Sequence, residues 1–569
     1  MPPLVFQVIP LRRLPPKFEL LDYDFSASAP PPEHGEIVRI PFGTQTIEGV
    51  LWAQGVSVSG QGAKRKTLER QEKLTYLTPQ QLGLVHWLAQ ETLAALPVVA
   101  LSMLPGSVPS TAAKLKENTS NGIIAAHLDE RQKIIQQFAK QAAGKGKTLV
   151  LVPALAYSHT WQKAFGERCI VIHGKLTSRQ KAKLLATDAQ VIVTTAVGLY
   201  LPHRQLRHLI LDQADDDGYF AFDQAPRVDT RRVAYELSRL HGAAFTLLAR
   251  WQSPTLRGLF PNATWRGMQP PPFTFIDRNG EAGAERRKPI AAGLLERVHS
   301  GRTLWLVHRR NEAGQLRCQD CGVAMQCPTC SRPLQVVRVG GRQMLFCRHD
   351  KLHSLVPDTC PRCKSAQLST QGKGVEVIAD EIQAQLGQTV TILDAGKTLT
   401  GTVSNNVVAT TAIANYPEYI FDRVVIVRTE SFLAPGHYRS SEELHGVLAL
   451  ARQQVRPGGE LYCQTFQPDN AEFVAGEELC KREQTTRGAM HFPPFGTLVI
   501  LQPRARALRP ADQPFSSPVA EELRAIAQAP NRWLIRCAQA DRRKTLQRIH
   551  ETLDASWEAI VDPPRIPAD

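Results

Sequence analysis

Apolar residues recur along this chain with two different periods, and the changeovers divide it into segments. Over residues 36–40 polar and apolar positions alternate as in a strand, stop at Pro41-Phe42-Gly43, and resume over 46–53. A Gly/Ser/Lys loop holding Lys64, Arg65 and Lys66 follows. Thr78-Pro79-Gln80-Gln81 reads as a capping box with proline at the first helical position. It opens a helix whose apolar face is Leu82, Val85, Leu88 and Ala89. Residues 105–121 are polar and read as a linker.

From residue 122 the pattern changes. Short apolar runs at 122–126 and 148–152 flank a helix-like stretch at 130–143, and 169–172, 189–195, 208–211 and 245–248 are further buried-strand candidates. Strands alternating with helical segments predict a parallel, doubly wound sheet. A second such unit starts at 303–307, is interrupted by a cysteine-rich segment, and resumes at 375–386. Strands at 407–410, 423–427 and 461–466 complete it. After a strand beginning near 495, the C-terminal part reads helix 519–527, strand 533–538 and helix 543–560. The expected fold is multidomain α/β, with a β-rich N-terminal domain, two parallel-sheet lobes, an insertion and an α+β C-terminal domain.

Charge narrows the function. The 569 residues carry a formal net charge of +15, with 68 Lys and Arg against 53 Asp and Glu, an excess suited to a polyanionic partner. No apolar run approaches the ~18 residues that span a bilayer. The opening MPPLVFQVIPLRRLPP is short and proline-broken for a secretory signal, so a cytoplasmic setting with reduced thiols is expected.

Seven of the 11 cysteines fall between positions 318 and 363: Cys318, Cys321, Cys327, Cys330, Cys347, Cys360 and Cys363. Three are CxxC pairs, whose tight turns aim two sulfurs at one point, as tetrahedral zinc requires. The seventh stands in Cys347-Arg348-His349-Asp350, which lacks a second thiol.

These landmarks resemble the primosomal protein N′ (PriA) family, bacterial superfamily 2 helicases that restart replication. The carriers are RCQDCGVAMQCPTCSRPL, Ile40-Pro41-Phe42-Gly43, LVLVPAL at 149–155, Gln464-Thr465-Phe466-Gln467-Pro468, Phe492-Pro493-Pro494-Phe495 and the closing AIVDPPRIPAD. The resemblance implies a 3′-end DNA-binding domain at 1–105 and a linker at 106–121 too short for the family's winged helix. It implies helicase lobes at 122–290 and at 291–316 with 367–490, a zinc module at 317–366 and a C-terminal domain at 491–569. It also implies two Zn²⁺ ions. Cys318, Cys321, Cys360 and Cys363 would hold one. Cys327, Cys330 and Cys347 would hold the other, with His349 expected as fourth ligand and Asp350 or His353 as alternatives. A nascent 3′ end would meet Tyr23, Asp24 and Phe25 (a stacking pair around an acceptor), Gly43, and the charges of Lys64, Arg65 and Lys66.

The same resemblance exposes what is missing. Only His127, Leu128 and Asp129 separate the 122–126 strand from its helix, with no glycine or lysine to cradle a phosphate. Gly144-Lys145-Gly146-Lys147-Thr148 precedes a strand instead of following one and reads as a solvated turn. The family's D-E-E-H box is Asp212-Gln213-Ala214-Asp215, its S-A-T segment is Ala249-Arg250-Trp251-Gln252-Ser253, and its arginine-finger stretch has become GVLALARQQVR at 446–456. Loss of cradle, base and fingers together predicts no ATP hydrolysis. The expectation is a non-enzymatic protein of the bacterial cytoplasm and nucleoid. It would bind abandoned forks and D-loops and recruit single-stranded-DNA-binding protein, primosome components and the replicative helicase loading proteins, with no membrane partner. The rivals are an active helicase with an unconventional nucleotide site and a zinc-ribbon adaptor that does not bind DNA.

Overall fold

A computed structural model describes residues 5–566 apart from 15–18, 26–29, 55–64, 72–74, 105–122, 128–132, 138–145, 267–272, 282–287, 309–314, 330–333, 372–374, 394–402, 434–436, 505–510 and breaks of one or two residues elsewhere. Two compact units result. The first comprises Met1–Met268 with Ala475–Ile566, and the second is centred on Gln269–Val474.

The first unit begins with a closed barrel of β1 (Phe6–Pro10), β2 (Leu21–Phe25), β3 (Ile37–Phe42), β4 (Gln45–Gln54) and β5 (Thr67–Arg70). Its strands close in the order β1-β2-β5-β3-β4, and only β2 and β5 run parallel. Period-two alternation drives Phe6, Val8, Tyr23, Val38, Ile40 and Leu51 into one small interior. Helix α1 (Pro79–Thr92) follows, with the expected box present: Thr78 Oγ1 accepts from the Gln81 N–H, and Gln81 Oε1 accepts from the Thr78 N–H at 2.9 Å. Buried Gln81 also donates to the Tyr200 carbonyl at 3.0 Å. Helix α2 (Leu96–Met103) completes the layer. Leu84, Val85, Leu88 and Met103 share a continuous core with Leu149, Leu209 and Leu247, so this layer is packed onto the following sheet.

That sheet holds β6 (Ile124–His127), β7 (Lys147–Leu151), β8 (Cys169–Ile172), β9 (Val191–Thr194), β10 (Leu206–Asp212), β13 (Ala244–Ala249) and β14 (Thr264–Arg266). Between β10 and β13 lies a two-residue ribbon of β11 (Phe220–Ala221) and β12 (Val228–Asp229). The order is β14-β6-β13-β10-β7-β9-β8, with every pair parallel, as the alternation of strands and helices predicts.

The second unit is a six-stranded parallel sheet in the order β15-β25-β24-β16-β23-β22. Its strands are β15 (Thr274–Asp277), β16 (Thr303–Leu306), β22 (Val390–Leu393), β23 (Asn406–Ala409), β24 (Phe421–Ile426) and β25 (Val455–Thr465). The two parallel sheets are the two parallel-sheet lobes expected from the sequence. An antiparallel module is inserted after β16: β17 (Gln315–Cys318), β18 (Gln335–Val339), β19 (Arg342–Phe346), β20 (His353–Leu355) and β21 (Leu368–Gln371), in the order β20-β19-β18-β17-β21.

The C-terminal part departs from expectation. Helix Ser517–Glu522 stops at Arg524, whose φ is +49°, and Ile526–Ala529 forms strand β27 instead of continuing the helix to 527. Helix Arg542–Thr552 likewise ends before a turn in which Asp554 accepts from the Ser556 N–H. Trp557–Val561 is strand β29, not helix to 560. Trp557 fills the core beside Val499 and Leu501, so burial on a pleated surface overrides helical propensity. With β26 (Gly496–Pro503) and β28 (Arg532–Ala538) the sheet runs β27-β28-β26-β29.

Four charges tie the first unit together. Glu91 Oε2, on α1, accepts from Arg232 of helix Thr230–His241 and from Arg542 Nε at 3.0 Å. Arg542 also donates to Asp562, and Arg232 lies 3.6 Å from the same carboxylate. Burial alone would raise the Glu91 carboxyl, but Arg232 and Arg542 hold it below its ordinary 4.5. Glu91→Gln is expected to destabilise the first unit by about 2 kcal/mol, between the values for exposed and buried pairs. A depressed carboxyl contributes fully above its unfolded pKa and loses that contribution as pH falls through the folded value. Urea denaturation should therefore show the wild-type advantage at pH 7 and its closure below about pH 4.5.

Candidate functional site

One corner of the barrel gathers most of the expected DNA-contacting residues. Gly43 takes φ +61° in the turn between β3 and β4, and a Cβ there would meet nothing within 4 Å, so the turn is open on its outer side. Lys66 Nζ donates to the Gly43 carbonyl at 2.9 Å. The Asp24 N–H donates to the Lys66 carbonyl at 3.1 Å, which sets β2 beside the start of β5. Arg65 lies 3.8 Å from the Asp24 carboxylate, too far for a hydrogen bond. Asp24 Oδ1 is shielded from solvent and has no hydrogen-bond donor among the described residues. Arg12 donates to Gln45 Oε1 at 2.7 Å and adds a guanidinium beside the turn. Lys64 lies outside the described residues.

The aromatic pair is placed differently from expectation. Strand alternation puts Tyr23 and Phe25 on the same side of β2, inside the barrel, with Asp24 opposite. Tyr23 is 5% exposed, and its hydroxyl donates to the Pro41 carbonyl at 3.1 Å, bracing the strand that leads to Gly43. Phe25 packs edge-on against Phe6 at 5.9 Å. Tyr23 is thus part of the support of this corner, not a stacking surface.

In the first lobe, the carboxyl ends of the parallel strands are where a doubly wound sheet takes ligands. Here protein side chains fill them. Asp212, at the end of β10, is fully buried and accepts from Trp161 Nε1 at 2.7 Å. Gln213 is buried with φ +57°, and its amide has no partner among the described residues. Asp215 receives both the Arg250 N–H at 2.8 Å and Arg250 Nε at 2.7 Å, while Asp216 lies 3.3 Å from the same guanidinium. Burial would lower the Arg250 pKa, but Asp215 and Asp216 hold it above its ordinary value. Burial raises the Asp216 carboxyl, with Arg250 opposing. Leu128 and Asp129, and Gly144 and Lys145, lie outside the described residues. In the second lobe both arginines of the 446–456 stretch have aromatic or acidic partners. Arg452 stacks over Phe273 at 4.6 Å with its pKa lowered by burial, and Arg456 pairs with Asp422 at 2.6 Å.

The inserted module brings its cysteines into two groups. Cys318, Cys321, Cys360 and Cys363 offer sulfurs all within 4.8 Å of one another. Cys318 lies 3.4 Å from Cys363 and Cys321 lies 3.6 Å from Cys360. Zinc–sulfur bonds of ~2.3 Å in a tetrahedron separate sulfurs by about 3.8 Å, so this donor set fits a zinc ion. The Cys363 N–H directed at the Cys360 sulfur helps lower that thiol to about 7, which favours the thiolate a metal needs. The second group is Cys327, Cys347 and Asp350. Asp350 Oδ2 sits 3.0 Å from Cys327 Sγ and 3.6 Å from Cys347 Sγ. Cys330 and His349 lie outside the described residues. His353 is exposed on β20 with its ring 4.7 Å from that of Phe346, and it takes no part in this group.

Residues 10–105 match the family model of the PriA 3′DNA-binding domain (3′BD). The chain is similar to the replication restart protein PriA of Rickettsia felis, 23% identical over 406 residues, and this match covers 62% of the chain and 61% of that protein. It is also 22% identical to PriA of Rickettsia prowazekii, across 87% of the chain and 86% of that protein. To PriA of Helicobacter pylori strain J99 it is 23% identical, across 82% of each. The chain therefore spans less than two thirds of the Rickettsia felis relative but most of the other two. It is PriA-like in sequence from its barrel onward.

The pairing at the first lobe predicts a specific mutational pattern. Asp215→Ala strands Arg250, whose side chain is 7% exposed, beside Asp216 alone, and should cost about 3 kcal/mol in chemical denaturation. Adding Arg250→Met should recover most of that loss. Equal stability of the single and double variants would remove the pair from the account.

Proposed function

We propose that this chain is a DNA-binding replication restart protein that recognises abandoned or stalled forks and D-loops by the nascent 3′ end. It promotes primosome assembly and loading of the replicative helicase without hydrolysing ATP. The observation that carries the reading is the barrel corner. There a shielded carboxylate oxygen of Asp24, without a hydrogen-bond donor among the described residues, lies 3.8 Å from Arg65 on a barrel that also carries Lys66 and an open glycine turn, inside the segment similar to a 3′DNA-binding domain. A terminal 3′-hydroxyl supplies the missing donor. Gly43, having no Cβ, admits the sugar, and Lys66, Arg65 and Arg12 meet the adjoining phosphates. The net charge of +15 supports a polyanionic partner.

The absence of ATPase activity is supported by what stands at the first lobe's carboxyl edge. Asp212, the residue that would hold Mg²⁺, is buried and already accepts from Trp161, and Arg250 takes the place of a small polar residue. The sequence between β6 and its helix offers no glycine or lysine for a β-phosphate. Zinc on the four-cysteine group would fasten both ends of the module, Cys318 of β17 to the turn at Cys360–Cys363. The module is thereby a rigid platform, and single-stranded-DNA-binding protein and primosome components are its proposed partners. The setting is the bacterial cytoplasm and nucleoid. No helix among the described residues is long and apolar enough to cross a membrane.

Fluorescence anisotropy on a model fork tests the central claim. A fork ending in a nascent 3′-hydroxyl should bind about tenfold tighter than the same fork ending in a 3′-phosphate, the worth of one charge-assisted hydrogen bond. Asp24→Ala should erase that preference, and Lys66→Ala should weaken both forks. On the same preparation, DNA-stimulated ATP hydrolysis should stay at buffer background. Turnover well above it would establish the helicase rival, and equal weak affinity for fork and plain duplex would establish the adaptor.

A further inference from the structure

The second cysteine group differs in kind from the first. Cys347 and Asp350 have the spacing of a CxxC knuckle with a carboxylate in place of the second thiol. The turn is built like a knuckle: the Asp350 N–H points to Cys347 Sγ at 3.4 Å, and the Cys347 N–H donates to the Leu352 carbonyl at 2.9 Å. The carboxylate is thus held back over its own turn, with Oδ2 between two sulfurs supplied by different segments. Bonds of ~2.3 Å to sulfur and ~2.1 Å to oxygen in a tetrahedron separate the two donors by about 3.6 Å. The observed 3.0 and 3.6 Å bracket that span closely enough for an ion to enter with small adjustments. His353 stands apart, exposed and stacked on Phe346.

We propose that the Asp350 carboxylate, with the Cys327 and Cys347 thiolates, holds a second zinc ion, giving the module one all-sulfur site and one mixed sulfur–oxygen site that releases its ion first. The proposal rests on the reading of the module as zinc-binding. Formal charge does not distinguish the two sites, because carboxylate and thiolate each carry one negative charge. Softness does: thiolates hold Zn²⁺ tightly, whereas a carboxylate is a harder donor that water or a chelator displaces more readily. Loss of this ion frees the Cys347–Leu352 turn, which leads directly into β20, where Leu355 is 74% exposed. The labile ion thereby governs the edge of the module that carries its most exposed large apolar side chain among the described residues.

Zinc release from the full chain to a chromogenic chelator, paired with cobalt-substitution spectra, tests this. The wild type should hold about two ions and release them in two phases, one fast and one slow. Asp350→Cys should merge the phases into one slow release and strengthen the thiolate-to-cobalt charge-transfer band. Asp350→Ala should hold about one ion, while His349→Ala and His353→Ala should keep both. The proposal is overturned if Asp350→Cys leaves both phases unchanged, or if His349→Ala loses an ion that Asp350→Ala retains. A wild type holding a single slow ion would also overturn it while leaving the four-cysteine site standing. A wild type holding none would remove the zinc reading altogether. Because Asp350→Cys keeps a ligand in place, its result does not depend on whether the alanine variant folds.

Discussion

Two guanidiniums converge on one carboxylate oxygen of Glu91, and the first unit is assembled around that meeting. Arg232 belongs to the first lobe and Arg542 to the C-terminal domain, while Glu91 rides on the helix that follows the barrel. Neither arginine could be buried beside the other without an anion between them, since two uncompensated charges at low dielectric repel strongly. Asp562 closes the charge balance from β29's end, and its Oδ1 also accepts from the Leu498 N–H at 3.0 Å, so the cluster is stitched into the C-terminal sheet. Arg542 adds Thr497 at 3.1 Å. The apolar core beneath α1 and α2 supplies non-directional cohesion, and the ion cluster supplies register. Together they mount the barrel on a solid base.

Much of this was legible in the sequence where the signal is local. The Thr78–Gln81 box and the buried strands of both lobes follow from residue type at short spacing, whereas the grouping of the outer and inner cysteines came from the family resemblance. The barrel was only half legible. Alternation revealed β3 and β4, but β1, β2 and β5 are four or five residues long, and β5 joins β2 in parallel across a loop that carries no pattern. The same alternation argument, applied to Tyr23 and Phe25, places both rings on the barrel's inner side. The aromatic motif indicated the right strand and the wrong face. The Glu91 cluster was not legible at all, because its members lie far apart in sequence, Glu91 and Arg542 by 451 positions, and each looks like an ordinary surface charge. Asp350 was visible as a misfit in the sequence, and the structure adds the position of its Oδ2 between two sulfurs.

At the end of β10 the first lobe shows how buried carboxylates are partnered by the protein's own side chains. Three aspartates, Asp212, Asp215 and Asp216, sit at or beyond the carboxyl end of β10, and buried carboxylates require partners. In a nucleotide-hydrolysing lobe, metal and lysine meet that requirement only while ligand is bound. Here the requirement is met permanently. Arg250 takes both Asp215 oxygens and reaches Asp216, and the Trp161 indole takes Asp212. Neither partner is small, and both are anchored: Trp161 is wholly buried in the lobe's second core, and the Arg250 backbone is itself bonded to Asp215. Two covalently tethered side chains, one guanidinium and one neutral indole, serve the three carboxylates of this edge.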